Sequence, residues 1–233
     1  MKRLRRSRSA PSRARTDSSK ALPARPPRRP NLLAGQDLPR VPAQARSRGK
    51  RAALLKAGVE LFERNGYEAT SIGAIARRAQ VAVGGFYQYF RSKRQLLLVL
   101  MNELLQKLEQ IDMQPSEGLL RDRIESVLRA GVTADLAYAG VYRAWKEAIL
   151  ANPKLAALDE RVRAWTTARL GLVFGRLAQL PGARTGADVY LFAALMDRLF
   201  WDLLGAKLES TSRVVEVLGH VIYHSLFRDP EAG

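Results

Sequence analysis

The side chains with the clearest chemical use lie between Thr70 and Lys93 of this 233-residue chain. Gln88 carries an amide that can pair with adenine in a major groove, and Val83 a branched apolar group that can meet a thymine methyl. Such groups work only if a scaffold holds them out. Ile72, Ile75, Ala76 and Ala79 fall at i, i+3, i+4 and i+7, which places one apolar stripe on a helix, and Thr70 or Ser71 supplies an N-cap oxygen. A break follows at Gln80–Ala82. In Val83–Phe90, Phe86 and Phe90 share a face at i, i+4 while Tyr87 and Gln88 point elsewhere. A short helix anchored on one side and free on the other is the recognition half of a helix-turn-helix.

No catalytic constellation competes with that reading. His220 and His224 stand at i, i+4, a spacing that can chelate a metal, but zinc wants three or four ligands and no third is apparent, so no metal is assigned. The chain lacks a Gly-x-Ser-x-Gly elbow, a dinucleotide fingerprint and a distinct carboxylate pair, so it is not read as an enzyme and no cofactor is expected. It contains no cysteine, which excludes a disulfide framework and thiolate metal sites. No apolar run reaches the roughly 18 to 20 residues of a membrane span, so no membrane partner is expected.

Across about Arg48–Leu97 the sequence resembles the tetracycline-repressor (TetR) family of bacterial transcriptional regulators. The residues that carry the likeness are Ala57, Leu61 and Phe62, then Gly66-Tyr67 and Thr70, Ile75-Ala76 with Ala79 and Val81, and Tyr87-Gln88-Tyr89-Phe90 with Lys93 and Leu96. The resemblance implies that Thr70, Tyr87 and Lys93 hold phosphates, which sets register without reading sequence. Base readers are expected among Val83, Gly84, Gly85, Gln88 and Tyr89, with Arg48 and Lys50 at the start of the first helix meeting the DNA backbone. The sequence departs from the family pattern at Gln80, where glycine is usual, at Ala82, where a capping serine is usual, and at Gly84-Gly85, where a DNA-contacting side chain is usual.

The charge distribution agrees with a nucleic-acid module at the front. Residues 1–47 hold 13 Lys and Arg against two acids, residues 48–95 ten against three, and residues 96–233 sixteen against seventeen, out of a formal net charge of +17. Residues 1–46, rich in Arg, Pro, Ser and Ala, read as a disordered basic arm that either touches DNA or only solvates the chain. Residues 47–95 then form the DNA-binding domain, with a first helix over Ser47–Arg64 that stops at Asn65-Gly66. Ser92 caps a fourth, bridging helix that runs to about Ile111.

After a break at Met113–Ser116, helices are expected over 117–136, 139–151, 153–180, 186–206 and 210–227, with no strand, and a tail over 229–233. The expected fold is all-α: an N-terminal three-helix DNA-binding domain with its helix-turn-helix, followed by a helical ligand-binding and dimerisation domain over 96–228. Aromatic residues gather between 138 and 201, and Tyr142, Trp145, Trp165, Phe174 and Met196 are the candidates for a pocket, with Arg143, Glu147 or Asp197 as polar anchors. The last two helices carry apolar stripes. The resemblance implies that these pair with a second copy through Phe192, Leu195, Leu199, Leu203, Val214, Leu218, Val221 and Ile222.

The function expected is a homodimeric regulator in the bacterial cytoplasm, nucleoid-associated when bound to DNA. Its partners are a palindromic double-stranded operator, its own second copy and a small, mostly apolar effector that releases the operator. The alternative is a nonspecific nucleic-acid-binding protein driven by the basic arm, with the helical part used for assembly.

Overall fold

The computed structural model describes residues 27–39, 43–111, 120–186, 188–205 and 211–228. The expected disorder of 1–26 and 40–42, the break at Met113–Ser116 and the tail at 229–233 lie outside the described residues.

The described residues are helical, without a strand beyond one isolated bridge between Ala183 and Phe227. The first four helices are α1 (Ala45–Asn65), α2 (Ile72–Arg78), α3 (Val83–Tyr87) and α4 (Lys93–Gln110). Five more follow: α5 (Leu120–Leu136), α6 (Ala139–Ala151), α7 (Pro153–Leu177), α8 (Val189–Gly205) and α9 (Thr211–Leu226).

Local chemistry sets the boundaries. α1 stops at Gly66, whose φ of 77° suits glycine and whose amide donates to the Phe62 carbonyl at 3.0 Å. Ser71, rather than Thr70, caps α2: its Oγ accepts from the Ala74 amide at 3.1 Å. Ser92 does the same for α4 through the Gln95 amide at 3.1 Å. Asn152 caps α7, accepting from the Lys154 and Leu155 amides at 3.0 and 3.3 Å, with Pro153 at the first helical position.

Two cores result. The first gathers α1–α4 around Leu54, Phe62, Ile75, Phe86, Phe90 and Leu96–Leu100, and continues into α6 and the first half of α7 through Trp145, Val162 and Trp165. The second joins α5, the end of α7, α8 and α9 around Phe174, Met196, Val215, Leu218 and Ile222. The 95/96 boundary read from the sequence therefore falls inside the first core.

One expectation is overturned. Residues 27–39, read as part of a disordered arm, pack on the protein: Leu32 is 1% exposed within the first core, with Leu33 and Leu38 against it. The Leu32-Leu33 pair and Leu38 were the signal, and the surrounding prolines and arginines masked it.

Candidate nucleic-acid interface and apolar cavity

α3 is five residues long and is held by burial of Phe86 and Phe90, whose rings lie 5.7 Å apart. Its other side is open: Val83 and Tyr87 are about half exposed, at 49% and 51%, and Gly84 and Gln88 are exposed as well. No side chain caps it, because Ala82 occupies the N-cap. The turn before it is tight, with Gln80 at a φ of 55° and the Val81 amide donating to the Ala76 carbonyl at 2.9 Å. An alanine Cβ at Gly85 would lie 2.6 Å from Val81 Cγ1, whereas nothing lies within 4 Å of one at Gly84. The face can thus offer a valine, a phenol, an amide and a bare backbone to a groove.

Three residues expected to touch DNA make internal contacts in the chain. Tyr89 is turned into the core and is only 6% exposed, because it lies beside Phe86 and Phe90 on the anchored side. Thr70 is 1% exposed, and its hydroxyl donates to the Gly66 carbonyl at 2.7 Å and the Leu61 carbonyl at 3.2 Å, which closes the α1–α2 loop. Lys93 is not a free point charge: its Nζ donates to the Tyr67 and Glu68 carbonyls and lies 4.2 Å from the centre of the Tyr67 ring. Burial draws the Lys93 pKa down, while Glu68 and Glu147 pull it up. Lys50 is exposed as expected, and exposed Arg48 donates to the Ala43 carbonyl at 2.6 Å.

An apolar cavity opens between α4, α5, α6, α7, α8 and α9. Of the expected residues, Tyr142, Trp165, Phe174 and Asp197 line it, and Arg169 and Trp201 join them. Trp145 and Met196 do not line it. Trp145 is fully buried in the first core with its indole N–H donating to Asp159 Oδ1 at 2.8 Å, and Met196 belongs to the second core.

Arg143 and Glu147 are also corrected as cavity anchors, since α6 uses both to hold α1. Arg143 donates to the Glu63 carbonyl at 2.9 Å, and Glu147 Oε2 accepts the Tyr67 and Glu68 amides at 2.6 and 3.2 Å. Gly140 allows this approach, since an alanine Cβ there would lie 2.6 Å from the Glu63 backbone. Within the cavity wall, burial raises the Asp197 pKa, against the lowering effect of hydrogen bonds from Thr166 and Thr167, nearby Arg163 and a bond from Trp201. Thr167 donates to Asp197 Oδ2 at 3.0 Å. Burial lowers the pKa of Arg169, against the pull of Glu109, and its guanidinium lies 5.0 Å over Trp165.

The stripes on α8 and α9 divide in two. Leu191, Leu195 and Leu199 on α8 and Val217 and Val221 on α9 are exposed. Leu218 and Ile222, expected to meet a second copy, are buried in the second core, where α9 packs on α5. Phe192 also turns inward, its ring 4.9 Å from that of Phe174. Leu203 and Val214 are half-buried against the same core. The His220 and His224 rings lie with centres 4.1 Å apart and planes tilted by 49°, and no group of three metal-ligating side chains occurs among the described residues. No helix among them is long and apolar enough to cross a membrane.

Residues 54–100 match the family model described as bacterial regulatory proteins, tetR family. Over 63 residues the chain is 43% identical to the transcriptional repressor KstR of Rhodococcus jostii, and over 70 residues 37% identical to the transcriptional regulator HbdR of an Aromatoleum strain. Those matches take in 27% and 30% of this chain and 28% and 31% of the relatives, so the chain spans less than a third of their length. The fold extends further. The ketosteroid transcriptional regulator KstR2 of Mycobacterium tuberculosis superposes with a TM-score of 0.60 at 19% identity, over 82% of this chain and all of that one. GusR of Salmonella enterica superposes with a TM-score of 0.59 at 20% identity, over 77% of this chain and 96% of that one. The sequence likeness to the tetR family of bacterial regulatory proteins thus lies in residues 54–100, and over the rest of the chain the likeness is one of fold.

Proposed function

We propose that the protein is a homodimeric transcriptional repressor that binds a palindromic operator and is released by a small, mostly apolar ligand. The observation that carries this reading is the open face of α3, where Val83, Gly84, Tyr87 and Gln88 stand out from a helix anchored by Phe86 and Phe90. Two such faces about one DNA turn apart would meet two half-sites. The exposed rows Leu191-Leu195-Leu199 and Val217-Val221 support pairing with a second copy, since apolar rows of this kind mark association surfaces. The cavity, with aromatic walls, a buried carboxyl at Asp197 and the half-buried guanidinium of Arg169, suits an apolar molecule with one polar end. Such a ligand would act by favouring a conformation that spaces the two α3 faces wrongly for DNA.

The test is a titration against duplexes tiled across the DNA flanking the gene, at low and near-physiological salt, beside a scrambled control. One palindromic tile should be selected at both salts, and Tyr87→Phe with Gln88→Ala should weaken it at least about tenfold. Equal binding to every tile, collapsing with salt, would overturn the reading. It would instead favour nonspecific binding by residues 1–26, which hold nine Lys and Arg against one acid.

A further inference from the structure

Residues 27–39 run along α4 in the direction opposite to it. At one end the Trp165 indole N–H donates to the Pro27 carbonyl at 3.1 Å. Arg29 then divides its guanidinium between two α4 side chains, Nη1 to Asn102 Oδ1 at 2.8 Å and Nε to Glu109 Oε2 at 3.1 Å. At the other end the Asp37 carbonyl accepts from Gln95 Nε2 at 3.0 Å, and the Asp37 carboxylate pairs with Arg91. Gln95 Oε1 in turn accepts the Arg91 amide at 2.7 Å, directly after Phe90, which anchors α3.

Gln95, Asn102 and Glu109 lie seven residues apart, so they form one row along about 21 Å of helix. Gln95 and Asn102 are buried, at 5% and 6% exposure, and buried polar groups need partners. Both find one in this segment. A segment that merely solvated the chain would not satisfy buried groups on α4.

The two ends of the segment meet the two candidate sites. Trp165 and Leu108 line the cavity, and Arg169 over Trp165 donates to the Leu108 carbonyl at 2.8 Å. Arg91 stands at the exit of α3. We propose that residues 27–39 form a strap that couples the cavity to the recognition helix: displacement of Trp165 by an occupant releases Pro27 and Arg29, and Asp37 then leaves Arg91. This rests on the reading of the cavity as a ligand site and of α3 as the DNA reader. The strap contacts exist only when it is docked, so they supply the differential free energy that such a switch requires. Coupling of this kind acts in both directions.

Amide and indole hydrogen exchange by NMR on the full chain tests the strap without a ligand. Arg29→Ala cuts it at the cavity end, and Gly131→Leu puts bulk into the cavity at a position where nothing lies within 4 Å of a Cβ. Each should speed exchange of the Arg91 amide about tenfold while the α9 amides hold. Asp37→Asn, at the far end and exposed, should speed exchange of the Trp165 indole proton by a similar factor. Faster exchange confined to the end that was altered, with a normal melting curve, overturns the proposal. The Arg29 and Asp37 variants decide this even if Gly131→Leu fails to fold. In the duplex titration, Gly131→Leu should shift the affinity of the wild-type chain but not that of Arg29→Ala, and equal shifts in both overturn the coupling. If no duplex is selected by any variant, the regulator reading fails while the exchange result still decides the strap.

Discussion

Gln80 adopts a left-handed backbone, with φ at 55°, at the one place in the helix-turn-helix where the turn demands it. A side chain there costs about 1 kcal/mol that glycine does not incur. Ala82, two residues on, leaves the N-terminus of α3 without a side-chain cap, which costs about another 1 kcal/mol. Gln80→Gly and Ala82→Ser should each stabilise the protein by about 1 kcal/mol in thermal melts. Both departures were legible in the sequence as breaks in a pattern. What was not legible was how Thr70 and Lys93 are used, because their direction depends on how the 66–69 loop closes onto α4. Asp197 gives a pH-dependent prediction. Burial raises its folded-state pKa, so its contribution is present below the ordinary aspartate range and is lost as the pH rises through the raised value. Asp197→Asn should therefore melt higher than the wild type at pH 7. The difference should fade on acidification toward about pH 4.

At the scale of elements, helix number and boundaries came through because caps and stops are local. Ser92, Asn152 and Gly66 act within a few residues of themselves. The facing of a helix is another matter. On α9, Val217 and Val221 lie beside Leu218 and Ile222, and a three-four repeat marks both rows as apolar without saying which one the chain covers itself. The structure turns Leu218 and Ile222 inward to α5 and leaves Val217 and Val221 outside. The two rows should respond differently to substitution. Leu195→Glu with Val221→Glu should leave the fold intact and convert a dimer to monomers in sedimentation. Leu218→Ala should instead cost about 2–5 kcal/mol of stability through the cavity it opens. A dimer unaffected by the paired glutamates would exclude this face as the interface.

Across the whole molecule, charge and length suggested two units, yet one core runs through both. The α1–α2 loop is fastened to α6 by Glu147, which accepts two loop amides, and the end of α1 by Arg143. Sequence reasoning gave these residues to the pocket because they share a helix with Tyr142 and Trp145, and helical phase alone does not say which neighbour a helix meets. Glu147→Ala strips the half-buried Tyr67 amide of its partner and returns the exposed Glu68 amide to water, so it should cost about 1–3 kcal/mol and open both to rapid exchange. Unchanged protection there would mean that the loop closes without α6. The strap carries a mechanical consequence. Its N-terminal end lies at Trp165, and residues 1–26, with nine Lys and Arg, precede it in the sequence. Tension applied to that stretch, as by a polyanion that grips it, would load the Pro27 and Arg29 contacts first and the Asp37 contact last. The strap would then peel off α4 one anchor at a time, at forces that need not break a helix.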